Sequence, residues 1–400
     1  MIDRMQRETI RRQDKRKLLF VTNAFSYGGS EKHLLELLDR IEDDNVQIVI
    51  LCLDSDPFTE RLRDEIRSRV TIRTEKSLKS VWDWRRVFRE IKPDVVVLVY
   101  GTLWLLPWIA SLGARLAGVP RMYAIYHLMP QPPRDLPVVE IKSARDVLRK
   151  LVGRRARRIF SARVPPYLCK QTICVSDAVR DSLVREYRFP VRKMRTIHNG
   201  ISSKEFAPGR KEGSQVRKNL GILPDDFLLV CTARLSTEKG IDILVSAMGK
   251  IVLEHTDCKC VIVGEGYLKE TLSEQIQSLG LSQHVFLEGF QSDVRPYLKA
   301  ADAFALTSYV EGLPFSVLEA MASGLPCIVT NVGGNAEAVA HSVNGLVVSS
   351  GSVDEVVHAI TRLLTERQEG ARMGEASRVR ASKEFDIEIR MSEIRNLILS

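Results

Sequence analysis

The stretch Asp302-AFALTSYVEGLPFSVLEAMASGLPCIV-Thr330 decides the fold. AFAL and CIVT are short apolar runs of strand length, and FSVLEAMAS between them reads as a helix. Pro314 suits the first helical position, where its missing N–H costs nothing. Gly324 supplies a left-handed stop, and Pro326 prevents continuation. Strand, loop, helix and strand in so short a span is a βαβ unit with parallel strands. Glu311 stands just before the helix and Glu319 about one and a half turns inside it. An exposed turn leading into a buried helix would explain the apolar run, but carboxylates are seldom buried without a task.

The same rhythm runs outward in both directions. KLLFVTNAF, VQIVILCL, DVVVLVY, RMYAIYH and QTICVS read as strands, separated by helical patterns near 29–41, 81–91, 104–117 and 177–187. Asn199-Gly200 and SSKEFAPGRKEGS then break the rhythm with linker chemistry. A second series follows, with strands in FLLVCTAR, CVIVGEG, VFLEGF, DAFALTS, PCIVT and GLVV. The chain's 400 residues exceed what one core supports. The expectation is α/β, two doubly wound Rossmann-like domains over 1–196 and 197–384, with 385–400 a helix returning to the first. Ligands of such sheets lie at the carboxyl ends of the strands, here in a cleft between domains.

Val95 to Ala114 carries no charge, and by length alone could cross a bilayer. Its β-branched start, Gly101-Thr102 and Pro107 divide it instead into strand, loop and core helix. The first seventeen residues are polar and basic with no apolar core, so they do not read as a secretory signal. The 7 cysteines are scattered through apolar runs, which points to a reducing compartment without a disulfide framework. Cys258 and Cys260 lack the second pair or nearby His that a zinc site needs. A cytoplasmic location is expected.

The formal net charge of +9 is concentrated. Residues 141–170 hold ten Lys/Arg against Asp146 alone. Within them Ile141, Ala144, Val147, Leu148, Leu151 and Val152 recur at helical spacing, with Lys142, Arg145, Arg149, Lys150, Arg154, Arg155 and Arg158 between or just beyond. A basic amphipathic helix of this kind suits the anionic inner face of a membrane. A solvated helix packing on its own domain is the alternative. Nucleic acid is not expected, because no recognition motif or aromatic interleaving accompanies the charge.

The candidate chemistry follows predicted strands. Gly28-Gly29 precedes a helix expected to begin near Glu31, where free N–H groups favour an anion. Arg234 and Lys239, in RLSTEKG, could clamp a diphosphate or line a solvated loop. Gly264 and Gly266 resemble a dinucleotide turn but lack the third glycine and an acidic partner. Asp54-Ser55-Asp56 looks like a metal-binding DxD pair, yet Pro57 and its place after a strand read as a turn. His127 ends a strand, on the side where ligands are expected.

As a set, these residues resemble glycosyltransferase family 4, retaining enzymes of the GT-B fold. The resemblance covers nearly the whole chain: Gly28-Gly29, His127, Ser176, HNGIS at 198–202, Arg234 with Lys239, GEG at 264–266, Glu311 with Glu319, and Gly333-Gly334 with Glu337. It implies that Arg234 and Lys239 hold the donor diphosphate and that Glu319 binds the ribose. It implies further that Glu311, His127 and the backbone of Gly312, Leu313, Pro314 and Phe315 meet the donor sugar, with the base near Gly289 and Phe290. Catalytic roles then fall to Glu311, His127, Arg234 and Lys239, and donor contacts also to Gly28, Gly29 and Gly264. EGLPFS stands where EGFG-type segments are commoner. The resemblance implies transfer from a nucleotide-diphosphate sugar, UDP first, acting as co-substrate with no cofactor and no metal. The acceptor would be a lipid-linked saccharide or other membrane-associated glycan precursor. A nucleotide-sugar epimerase of the same architecture should carry carboxylates and His arranged for elimination, and no such set is present. A non-catalytic sugar-nucleotide scaffold should have lost part of the clamp, which is whole.

Overall fold

The computed structural model describes residues 15–22, 28–53, 56, 58–62, 64–76, 78–101, 107–128 and 166–400. The chain divides into two compact units, Met1–Ile197 with Met391–Ser400, and His198–Arg390. Each is built on one parallel sheet.

The first unit orders its strands β3-β2-β1-β4-β5-β6-β7. These are β1 Arg16–Thr22, β2 Val46–Cys52, β3 Val70–Thr74, β4 Val95–Tyr100, β5 Arg121–Tyr126, β6 Gln171–Cys174 and β7 Met194–Thr196. Val95, Val96, Val97, Leu98 and Val99 are all buried, as strands covered on both faces require. The uncharged stretch from Val95 is therefore split, β4 giving way to a helix at Pro107–Leu116. No helix among the described residues is long and apolar enough to cross a membrane. Two strands escaped the sequence reading. β3, VTIRT, is half-exposed and weakly apolar, and β7 is only 3 residues long. Both are edge strands.

The Val81–Ile91 helix shows why its boundaries were legible. Ser80 accepts from the Asp83 N–H at 3.2 Å, and the Asp83 carboxylate accepts from the Ser80 N–H at 2.9 Å, a reciprocal capping box. Trp84, Val87, Phe88 and Ile91 form its buried face. The first helix runs Gly29–Leu38, starting where the 29–41 pattern placed it and two residues before Glu31. The final helix runs Ile387–Leu399. Its end is fastened inside the first unit by the Arg395 guanidinium donating to the Arg40 carbonyl at 3.2 Å and by Arg16 donating to the Leu399 carbonyl.

The second unit orders its strands β10-β9-β8-β11-β12-β13. These are β8 Phe227–Thr232, β9 Cys258–Val263, β10 Val285–Leu287, β11 Ala303–Leu306, β12 Cys327–Thr330 and β13 Gly345–Val348. Cys258 and Cys260 both lie inside β9, fully buried, and burial pushes the Cys258 thiol up to about 12. They are core residues and not a metal pair. Strand order reverses between β1 and β4 in the first unit and between β8 and β11 in the second, and these switch points are where such sheets take ligands.

The Phe315–Ala322 helix corrects one expectation. Pro314 is its N-cap, with φ −72° and ψ 132°, and not its first helical residue. The extended ψ turns the chain into the helix one position later. All of the helix but Ser316 is buried. Gly324 supplies the stop at φ +79°.

Candidate active site

At the carboxyl end of the second sheet, loops from neighbouring strands are joined by main-chain hydrogen bonds. The loop after β8 donates from Leu235 N–H to Glu265 at 2.9 Å, and the loop after β9 donates from Gly264 N–H to Gly289 at 2.8 Å. The loop after β11 donates from Tyr309 N–H to Glu238 at 2.8 Å, and Gly334, after β12, donates to Gly312 at 2.5 Å. Two glycines make this closeness possible. A Cβ on Gly264 (φ +149°) would lie 1.9 Å from the Ala233 carbonyl, and one on Gly333 (φ +55°) 2.1 Å from that of Glu311. Any other residue would push the loops apart.

Lys239 and Glu311 meet across the switch point. Lys239 Nζ lies 2.6 Å from Glu311 Oε1, with side chains 17% and 4% exposed. Ser308 Oγ donates to the same oxygen at 2.6 Å. Both donors engage Oε1, so Oε2 has no hydrogen-bond partner among the described residues. The pairing follows from burial: a carboxylate withdrawn from water needs a counter-charge and hydrogen bonds to remain ionised. Arg234, at the other end of its loop, is more than half exposed, 3.7 Å from Glu238. Its guanidinium is therefore partly open to solvent. Glu319 is nearly buried within the Phe315–Ala322 helix. That helix carries no side-chain cap at its N-terminus, where the macrodipole favours negative charge. Phe290 is 62% exposed beside Gly289.

Two residues of this site escaped the sequence reading. Ser308 is one. The other is Asn199, read as linker, whose buried Nδ2 donates to the Leu313 carbonyl at 2.6 Å. Its neighbour His198 pairs with Glu337 at 2.9 Å. Ser308 acts on the 311–314 loop through the Glu311 carboxylate and Asn199 through a main-chain carbonyl, contacts that a residue pattern does not display.

In the first unit, the His127 N–H continues the ladder to the Tyr100 carbonyl at 3.1 Å. Its ring is buried edge-on against His33, centroids 4.6 Å apart. Burial, then the neighbouring His33, holds the His127 imidazole well below its usual range, and burial lowers His33 to about 4. Both are neutral at pH 7. Nε2 of His127 has no hydrogen-bond partner among the described residues. Gly28 caps the Gly29–Leu38 helix and accepts from the Lys32 N–H at 3.0 Å. Asp56 accepts from the N–H groups of Phe58 and Thr59 at 2.8 and 3.1 Å. It is a turn cap, as the sequence reading held, while Asp54 lies outside the described residues. So do Lys142, Arg145, Arg149, Lys150, Arg154, Arg155 and Arg158.

The family model described as Glycosyltransferase Family 4 matches residues 27–205, and that described as Glycosyl transferases group 1 matches residues 214–380. The chain belongs to glycosyltransferase family 4, has the GT-B fold, and is an enzyme of the glycosyltransferase class. Among its relatives, the UDP-Gal:alpha-D-GlcNAc-diphosphoundecaprenol alpha-1,3-galactosyltransferase of Escherichia coli is 27% identical over 381 residues, 93% of each chain. A GDP-mannose-dependent alpha-(1-6)-phosphatidylinositol monomannoside mannosyltransferase of Mycobacterium tuberculosis is 36% identical over 200 residues, 47% of this chain and 51% of its own length. The crystal structure of Anabaena HepE in complex with UDP superposes with a TM-score of 0.77 at 21% identity, covering 95% of this chain and 99% of that one. That likeness is one of fold.

Proposed function

We propose that this enzyme is a retaining, metal-independent glycosyltransferase that moves a hexose from a nucleoside diphosphate sugar, UDP first, to a lipid-linked glycan acceptor. The observation that carries the reading is the buried Lys239–Glu311–Ser308 cluster at the switch point, beside an uncapped helix N-terminus and the exposed Arg234. The Escherichia coli relative, matched over almost its whole length, is named for a UDP sugar and a diphosphate-linked lipid acceptor. The mycobacterial one is named for GDP-mannose and a phosphatidylinositol acceptor. Those names support the substrate class, and the first favours UDP.

In the proposed reaction the acceptor oxygen bonds to the anomeric carbon on the face from which the diphosphate departs. The anomeric carbon–oxygen bond breaks, and the acceptor's proton passes to a departing phosphate oxygen. Negative charge grows on the diphosphate, where Arg234, Lys239 and the helix N-terminus stabilise it. Lys239 and Ser308 hold Glu311 by one oxygen, so the other can meet a donor-sugar hydroxyl. Glu319 takes the ribose hydroxyls, and the neutral His127 approaches the sugar through Nε2. The enzyme works as a peripheral protein at the cytoplasmic face of the membrane.

A panel of UDP-, GDP- and ADP-sugars, scored for thermal stabilisation, hydrolysis and transfer with and without EDTA, tests this. UDP-sugars should stabilise and turn over, and chelation should change nothing. Unchanged transfer in both Lys239→Ala and Glu311→Ala would refute the site. Recovery of an isomerised donor without acceptor would favour the epimerase.

A further inference from the structure

We propose that the outward face of the Val81–Ile91 helix, with the adjoining end of the Pro107–Leu116 helix, docks the first unit on an anionic bilayer. This deepens the lipid-acceptor reading and rests on it. Trp84 is fully buried, whereas Trp82, two residues away, is 66% exposed. The core face of the helix is already filled, so Trp82 contributes nothing to it.

Cations surround this tryptophan. The Arg85 guanidinium lies 5.5 Å from the Trp82 ring centroid, and its Nε donates to the Leu116 carbonyl at 3.2 Å. Leu116 is itself 44% exposed, and Arg115 beside it is exposed. Arg86 and Arg89 follow at helical spacing from Trp82, which brings them to the same face. Both are exposed, and together with Trp82 and Arg85 they line one shallow groove.

The acids of the helix are engaged elsewhere. Asp83 is bound to Ser80 in the capping box. Glu90 also lines the groove and pairs with Arg73 at 2.8 Å. The face therefore presents a tryptophan and a leucine among guanidinium groups, with its carboxylates already occupied. An indole with one apolar body and one polar edge settles at the membrane–water boundary. Arginine forks meet lipid phosphates, each worth a measurable share of affinity. The charge complement of the face is thus a dense plane of phosphates.

Flotation of the full chain with phosphatidylcholine vesicles, with and without phosphatidylglycerol, tests the proposal. Wild type should float only with phosphatidylglycerol, and less at 1 M salt, where the screening length falls to about 3 Å. Arg86→Gln/Arg89→Gln should lower the partition coefficient about thirtyfold at low salt. Trp82→Ala should lower it at every salt concentration. Unchanged flotation in these variants would overturn the proposal. So would oligonucleotide binding that the variants lose while vesicles bind neither them nor wild type. Circular dichroism and urea midpoints matching wild type would establish that the variants fold. Flotation reads no chemistry, so a chain that floats as stated but gains no stability from any nucleoside diphosphate would sink the donor reading alone.

Discussion

Replacing Lys239 by Met tests the cluster on which the proposed donor site rests. The ammonium is 2.6 Å from Glu311 Oε1, and the carboxylate side chain is only 4% exposed. Removing one partner of such a pair leaves an uncompensated buried charge, costing about 3–5 kcal/mol. Lys239 keeps some exposure, and Ser308 still donates to the same oxygen at 2.6 Å. The lower end, about 3 kcal/mol, is expected. Glu311→Gln should cost about 2 kcal/mol, since the ammonium left behind can turn toward water. The double variant holds no buried charge here and should cost about 2 kcal/mol, leaving a coupling energy of about 3 kcal/mol. Urea titrations of the four proteins measure this. For a unit of this size, Lys239→Met should lower Tm by about 6–12 °C. Penalties that add to within about 0.5 kcal/mol would show that the two residues act independently, and the argument for the cluster would fall.

Acid should weaken the first unit through its paired imidazoles. Unfolded His33 takes up a proton near pH 6.5 and the folded one only near 4, so stability is intact above 6.5 and falls by about 1.4 kcal/mol per pH unit below it. His127, also lowered, adds in the same direction; urea midpoints of wild type and His33→Asn at pH 7.5 and 5 should differ in slope, and equal slopes would refute it. Gly333→Ala should cost about 3 kcal/mol, from left-handed strain and overlap with the Glu311 carbonyl, which a normal melting temperature would contradict. Asn199→Ala should cost about 2 kcal/mol and weaken stabilisation by UDP; differential scanning fluorimetry with and without nucleotide separates the two effects, and an unchanged response to UDP would detach Asn199 from the site.

The legible parts of this chain share a physical cause. β4 and β8 are covered on both faces, so their sequences are continuous apolar runs, and DVVVLVY and FLLVCTAR announced them. β3 and β7, at the sheet edge, bury too little to write such a signal. Pro314 was placed one residue too far in, because a proline with φ near −70° is compatible with both N-cap and first helical position, and only ψ separates them. Arg234, Lys239, Glu311 and Glu319 were legible as residue types at strand ends. That Lys239 reaches Glu311, 72 residues on, was not, since the contact depends on β8 and β11 being neighbours. Ser308 and Asn199 were hidden for a further reason: serine and asparagine are common in loops, and what distinguishes these two is the single acceptor each one finds.

Under the proposed function, the rim also indicates where donor choice can vary without loss of the fold. The path of the 311–314 loop is held by main-chain acceptors: the Gly312 carbonyl takes the Gly334 N–H and the Leu313 carbonyl takes the Asn199 amide. Neither bond depends on the side chain at 312–314. The course of the loop therefore does not require a particular side chain at 313, although Leu313 is itself buried, whereas Asn199 and Gly333 cannot change without moving it. Under the proposed function, variation in sugar preference is expected within residues 313–316 and not at Asn199 or Gly333.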